Sequence, residues 1–197
     1  MGPRVAALAL VLGGALVGLT YVFWTANGLA PEVVAAPSPS SPLGTLLVAG
    51  VGVGALLLTL GIPTLMARQQ RNAGTLGQIG GWLVLVGFLV WAVSVLAGPS
   101  VIALPPWVLD ADQVLLAIGS VLFGLASFDA GVLSAGAALL VAVAGLVGLL
   151  PTALPDLLSF GLGGEVFAGP AALRIIGYVA LIAFGLAWAW LGYAIWT

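Results

Sequence analysis

Six long apolar stretches, separated by short polar or proline-rich segments, most constrain how this sequence folds. A helix needs about 20 mostly apolar residues to cross the hydrocarbon core of a bilayer. We therefore predict an all-α fold, in which residues 1–197 form a single transmembrane domain, a polytopic helical bundle of about six spans. The predicted spans cover residues 5–24, 43–67, 76–97, 113–128, 132–150 and 171–196.

Charged side chains are too scarce to cover the surface of a soluble domain of this length. Of the 197 residues, 62% are hydrophobic and 5% are charged, whereas a typical soluble domain carries about 25% charged residues. The apolar surface must then face lipid, so the bilayer is the first predicted partner. The net charge is only −2, and without a basic patch nucleic acid is not expected as a partner.

The division of residues 113–150 into two spans rests on length and on one polar segment. A single helix over these residues would be about 57 Å long at about 1.5 Å per residue, far more than a hydrocarbon core of about 30 Å. The segment around Asp129 and Gly131 interrupts the apolar run and predicts a tight hairpin turn. Asp129 is then expected to cap the N-terminus of the fifth span.

The basic residues predict which side of the membrane holds the chain termini. With the N-terminus inside, Arg4, Arg68 and Arg71 lie on the cytoplasmic side, as the positive-inside rule requires. Both termini are therefore predicted to be cytoplasmic, in the inner membrane of a prokaryotic cell. The alternative is a cleaved signal peptide over residues 1–30, although its apolar run exceeds the usual length of roughly 7–15 residues.

Aromatic residues near the span ends are expected to mark the membrane interfaces, because their amphipathic rings favour the headgroup level. The set predicted for the inner interface is Trp190, Tyr193 and Trp196, and the set for the outer interface is Tyr21, Phe23 and Trp24.

Arg174 is the one basic residue expected near the outer end of a span. It could snorkel to the interface, form a structural ion pair with Asp156 or Glu165, or face an outer cavity that binds an anion. Asp110 and Asp112 directly precede the fourth span and are expected to be N-terminal capping and dipole residues. Two carboxylates do not make a metal site, so no metal is predicted.

Small residues recur at the four-residue spacing that lets membrane helices approach closely. Helix packing within one monomer is the first interpretation of these pairs, and a face for self-association as a homo-oligomer is the second. The pairs are Gly14 and Gly18, Gly50 and Gly54, Gly77 and Gly81, and Ser120 and Gly124.

Missing residue types remove much of the chemistry that an enzyme could use. The chain has no cysteine, histidine or lysine, so thiolate nucleophiles, histidine bases and Schiff bases are excluded. No carboxylate is expected deep in a span, where ion-coupled transporters usually need one. No catalytic residue, cofactor-binding residue or cofactor is predicted, and the chain is not expected to be an enzyme.

Two stretches carry a resemblance to other proteins. One is Ala67-Arg68-Gln69 leading into Gly74-Thr75-Leu76-Gly77 and Gly80-Gly81-Trp82, and the other is Gly185-Leu186-Ala187-Trp188-Ala189-Trp190-Leu191-Gly192-Tyr193. Together they resemble a loose group of uncharacterised bacterial six-span membrane proteins. The resemblance implies the six-span topology and no known activity, so no functional residue is carried over from it.

Three functions stay open at this point. The first is a non-catalytic structural or assembly partner of another membrane protein. The second is a transporter or channel for a neutral or lipid-like solute, with a cavity lined by residues such as Thr59, Ser94 and Ser120. The third is an enzyme on the outer face, which would use Asp110, Asp112, Asp156, Glu165 and Arg174.

Overall fold

The described part of the chain is almost entirely helical. The computed structural model describes residues 2–29, 42–69, 72–101, 106–131, 133–147 and 171–196. No strand occurs in these ranges, and the prediction of an all-α helical bundle is confirmed. The helices are α1 (Pro3–Leu29), α2 (Pro42–Gln69), α3 (Gly74–Val101), α4 (Pro106–Asp129), α5 (Ala135–Val147) and α6 (Ala171–Trp196).

Helices α1, α2, α3, α4 and α6 are each long and apolar enough to cross a membrane. The described part of α5 is also apolar but shorter. Large hydrophobic side chains such as Leu19, Leu46 and Val143 are exposed on the outside of the bundle. Soluble proteins rarely expose so much apolar surface to water. The fold is therefore that of a multi-pass membrane protein.

The connection between α3 and α4 is shorter than the sequence predicts. The spans predicted at 76–97 and 113–128 leave residues 98–112 as a connection, but α3 continues to Val101 and α4 already begins at Pro106. Proline suits the first position of a helix because the N–H that it lacks would have no partner there. Asp110 and Asp112 therefore lie inside α4, whose first turn contains no acidic residue. The capping role predicted for them is wrong.

The chain reverses direction between α4 and α5 at Ala130 and Gly131. Gly131 has a φ of +60°, a conformation that glycine adopts without steric cost, and its N–H donates to the Phe128 carbonyl at 3.2 Å. Asp129 is the last residue of α4. The carbonyl of Ser134 accepts the first bond of α5, so the prediction that Asp129 caps this helix is wrong.

Consecutive helices pack against each other in antiparallel pairs, and α6 closes the arrangement against α1. Gly14 lies against Gly185, and Gly192 lies against Ala7, so the first turns of α1 meet the last turns of α6. Arg68 Nη2 donates to the carbonyl of Ile195 at 3.5 Å, which brings the end of α2 to the same place. We call this the arginine end, and the other the opposite end.

Four fully buried aromatic side chains fill the middle of the bundle. Phe88 of α3 lies 5.9 Å from Phe184 and 5.6 Å from Trp188 of α6, measured between ring centroids. Phe123 of α4 stacks on Trp188 at 5.8 Å. We call these four residues the aromatic core. They connect α3, α4 and α6 directly, so the centre of this part of the bundle is packed with rings.

Exposed aromatic residues gather toward the arginine end. Trp190, Tyr193 and Trp196 are all exposed on the last turns of α6, as expected for residues at a membrane interface. Tyr21 behaves differently from its prediction. Its ring lies 6.5 Å from Trp91 and 5.9 Å from that of Tyr178, so it packs inside the bundle.

Candidate functional site

Buried polar side chains are concentrated on one face of α4. Asp112, Ser120 and Ser127 are all buried, and they are spaced by about two helical turns, which places them on the same side of the helix. Gln69 of α2 joins them at the arginine end. We call these four residues the α4 polar stripe. It is the candidate functional site because polar groups inside a membrane bundle are costly and often functional.

At the arginine end the stripe forms a hydrogen-bonded clamp. Gln69 Nε2 donates to Ser127 Oγ, and Ser127 Oγ donates to the carbonyl of Phe123 at 2.5 Å. Gln69 is only 1% exposed, and an amide buried in apolar surroundings without a bond would cost several kcal/mol, about 2–7. The clamp therefore stabilises the packing of α2 against α4.

In the middle of the stripe, Ser120 lies where α4 meets α5. A Cβ placed on Gly145 of α5 would lie 2.6 Å from the Cβ of Ser120 and 3.3 Å from Cε2 of Phe184. The absence of a side chain at Gly145 lets the two helices come this close. Ser120 is thus in the same packing layer as the aromatic core.

Toward the opposite end the stripe holds Asp112, which is only 2% exposed. Residues Ala111–Asp129 form the candidate membrane span in this helix, so a carboxylate lies within it. Asp112 and Tyr178 are electrostatic neighbours of the Tyr21 hydroxyl, which brings α1, α4 and α6 together here. Asp112 is the second residue of that span, so it lies near the end of the span and not at its centre.

The sequence did not predict that Asp112 is buried, because the predicted spans leave the proline-rich residues 98–112 as a connection. Pro106 followed by the apolar Trp107, Val108 and Leu109 was the signal that could have found the extra helical turns. Proline is favoured at the first position of a helix and also in turns and loops, and only the structure distinguishes the two at this position.

The predicted small-residue pairs all lie at contacts between helices of one chain. Gly14 and Gly18 of α1 face α6, and a Cβ on Gly14 would lie 2.6 Å from the amide nitrogen of Ala189. The other contacts are Gly50 with Thr20, Gly54 with Gly13 and Val17, Gly77 with Ala126, Gly81 with Met66, Ser120 with Gly145, and Gly124 with Ala138 and Ala142.

Two of the three hydroxyl groups proposed to line a solute cavity are bonded to their own helices. Thr59 Oγ1 donates to the carbonyl of Ala55 at 2.9 Å, and Ser94 Oγ donates to that of Val90 at 2.8 Å. Thr20 makes the same kind of bond to Leu16. Such bonds satisfy a hydroxyl inside a membrane without any partner from another helix. Ser120 is the only one of the three proposed lining residues whose hydroxyl does not bond in this way.

The predicted ion pair lies outside the described residues. Asp156 and Glu165 belong to residues 148–170, and of Arg174 and Asp110 only the backbone is described. Among the residues that the structure does describe, no group of three histidine, cysteine, aspartate or glutamate side chains could hold a metal ion.

The helical bundle, its apolar exterior and its packed interior define the class of protein, a multi-pass α-helical membrane protein. The chain matches no protein-family model, no curated protein and no solved structure. Activity and partners therefore have to be inferred from the residues of this chain alone.

Proposed function

We propose that this protein is a non-catalytic structural or assembly partner of other proteins in a prokaryotic inner membrane. The observation that carries the proposal is the aromatic core. Its four rings are fully buried and contact one another, so the middle of the bundle is used for packing. A binding or catalytic site usually needs a concave space lined by a few polar groups.

The exterior of the bundle supports the same role. Exposed apolar side chains such as Leu19, Leu46 and Ile118 lie on different helices, and such surfaces accept either lipid or another membrane protein. The partner would be a different membrane protein or a second copy of this chain. The six-span group that the sequence resembles implies the same topology and adds no activity.

A transporter or channel for a neutral or lipid-like solute is the second candidate, and the α4 polar stripe favours it. Buried polar groups within a span often mark a substrate or ion pathway. The bonds of Thr59 and Ser94 to their own helices count against it, because they leave those two hydroxyls no free donor for a solute. An enzyme on the outer face has less support, since Asp112 is buried inside the bundle.

Site-specific photo-crosslinking tests the assembly role. A photoreactive amino acid would be introduced at Leu19, Leu46, Ile118 or Val143, which are exposed on four different helices, and at the buried Leu58 as the control. An assembly partner predicts one discrete protein adduct from adjacent positions on one side of the bundle. If no lipid-facing position gives an adduct in cells, the bundle is surrounded by lipid alone and the proposal is wrong.

Cysteine labelling tests the predicted orientation, and the natural chain makes it clean because it contains no cysteine. Pro42→Cys places a thiol at the opposite end, and Asn72→Cys places one at the arginine end; both residues are exposed. With cytoplasmic termini, an impermeant maleimide should label Pro42→Cys in intact cells and Asn72→Cys only after permeabilisation. The reverse pattern would place the termini outside.

A further inference from the structure

The buried polar atoms that have no hydrogen-bond partner in the described part of the bundle include Oε1 of Gln69, Oγ of Ser120 and Nε1 of Trp188. Buried polar groups in native proteins nearly always have a partner, which is either protein or ordered water. In a membrane span lipid cannot supply one, so these atoms require an explanation within the bundle.

Ser120 and Trp188 belong to the same layer of the interior. Ser120 is three residues before Phe123 on α4, and Phe123 stacks on Trp188 at a centroid distance of 5.8 Å. Ser120 also lies next to Phe184 through their shared contact with Gly145, and Phe184 meets Trp188 edge-on at 6.0 Å. Phe123 and Phe184 therefore connect Ser120 with Trp188 in this layer of the bundle.

The Trp188 indole and the Ser120 hydroxyl have complementary hydrogen-bonding capacities. The indole N–H of Trp188 can only donate, whereas the hydroxyl of Ser120 can donate and accept. Ser94 and Ser127 show the alternative, since each donates to the carbonyl four residues earlier, whereas Ser120 does not. Its hydroxyl is thus available for a partner that also accepts from an indole.

We propose that the bundle binds an internal water molecule between α4 and α6, held by Ser120 Oγ and Trp188 Nε1. Water supplies both the acceptor that the indole needs and the second partner that the hydroxyl needs, as buried waters in proteins commonly do. The site goes beyond the proposed function, because a water-binding layer inside the aromatic core is independent of any assembly partner.

Radiolytic hydroxyl-radical footprinting of the full-length protein in lipid nanodiscs tests the proposal. Radicals formed from a bound water oxidise the side chains beside it, even when bulk solvent cannot reach them. We expect oxidation of Trp188, which is fully buried, to rise with dose as it does for Trp196, which is exposed at the end of α6. In Ser120→Ala the oxidation of Trp188 should fall several-fold while that of Trp196 stays unchanged.

Ser94→Ala is the matched control, because its hydroxyl bonds to its own helix and its loss should leave the oxidation of Trp188 as it is in the natural protein. Each variant is first shown to be monodisperse by size-exclusion chromatography. A dry core with a direct bond from Trp188 to Ser120 predicts no oxidation of Trp188 above background in the natural protein. That result, or equal oxidation of Trp188 in Ser120→Ala, would overturn the proposal.

Discussion

Two contacts inside this bundle use opposite means to join helices. Along the seam between α1 and α6, the backbone at Gly14 lies directly against Gly185, and Gly18 continues the contact one turn further. Along the inner face of α4, by contrast, Asp112 and Ser127 place polar groups in the interior. The seam depends on the absence of side chains, and the α4 polar stripe depends on the presence of particular ones.

This difference follows from the solvent. Lipid gives apolar side chains no reason to prefer a protein neighbour, so close packing of small residues is one way to hold membrane helices together. The α1–α6 seam uses such packing at Gly14 and Gly185. The polar groups of the α4 polar stripe are costly to bury, so its members are the better candidates for specific roles.

The largest effect is expected where a methyl group meets backbone. In Gly14→Ala the new Cβ would lie 2.6 Å from the amide nitrogen of Ala189, so α1 and α6 must move apart. We expect the free energy of unfolding, measured by SDS titration in mixed micelles, to fall by about 2–3 kcal/mol, the upper part of the range for overpacking.

Gly18→Ala is the matched control on the same helix. Its Cβ would lie 3.5 Å from the carbonyl oxygen of Ile182, which is an ordinary contact. Alanine also favours a helix over glycine by about 1 kcal/mol, so this variant should equal or exceed the natural protein in stability. Equal losses at Gly14 and Gly18 would show that the seam is not closely packed.

The next largest effect is expected at Asp112. Its side chain is buried and takes part in interactions, and Asp112→Asn keeps the shape but replaces one carboxyl oxygen with an amide nitrogen. We expect a loss of roughly 1–3 kcal/mol in the same titration, the usual cost of disturbing a buried polar contact.

Asp129→Asn makes the same change at an exposed carboxylate at the end of α4, and surface substitutions usually stay within about 0.5 kcal/mol. If Asp112→Asn were as stable as Asp129→Asn, Asp112 would not belong among the interactions that hold α4 in place. The contrast between seam and stripe would then rest on Gln69, Ser120 and Ser127.

A smaller effect is expected from the clamp at the arginine end. Ser127→Ala removes the acceptor of Gln69 Nε2, and Gln69→Leu removes the donor. A double-mutant cycle should give a coupling energy of about 0.6 kcal/mol and no more than about 1.7, the range measured for hydrogen bonds between membrane helices. Additive effects of the two substitutions would mean that the two side chains do not interact in the membrane.

The sequence predicted the parts of this fold that depend on the hydrophobicity of each stretch. It did not predict the parts that depend on which side chains meet when the helices pack together. The apolar stretches predicted a helical bundle, and the segment at Asp129 and Gly131 predicted a turn where the chain does reverse. The four-residue spacing of Gly14 and Gly18 predicted close packing of their helix. All of these are local properties of the chain.

The candidate site depended on information that is not local. The segment with prolines 99, 105 and 106 has the composition expected both of a loop and of helix ends. The sequence therefore did not predict the extra turns of α4 in which Asp112 is buried. Neither Gln69 nor Ser127 stood out in the sequence, because an amide and a hydroxyl become a clamp only when α2 and α4 pack together. No spacing rule within one helix could have paired them.

The smallest effects are expected from the hydroxyls that bond to their own helices. Ser94→Ala and Thr59→Val each remove a donor whose acceptor, the carbonyl of Val90 or Ala55, keeps its place in the helix. Each unfolding free energy should therefore change by no more than about 0.5 kcal/mol. A loss above 1.5 kcal/mol, about that of a buried bond between groups, would show that these hydroxyls also serve partners on other helices. Such a result would add Thr59 of α2 and Ser94 of α3 to the polar groups that face the interior of the bundle. A solute pathway requires polar groups from several helices.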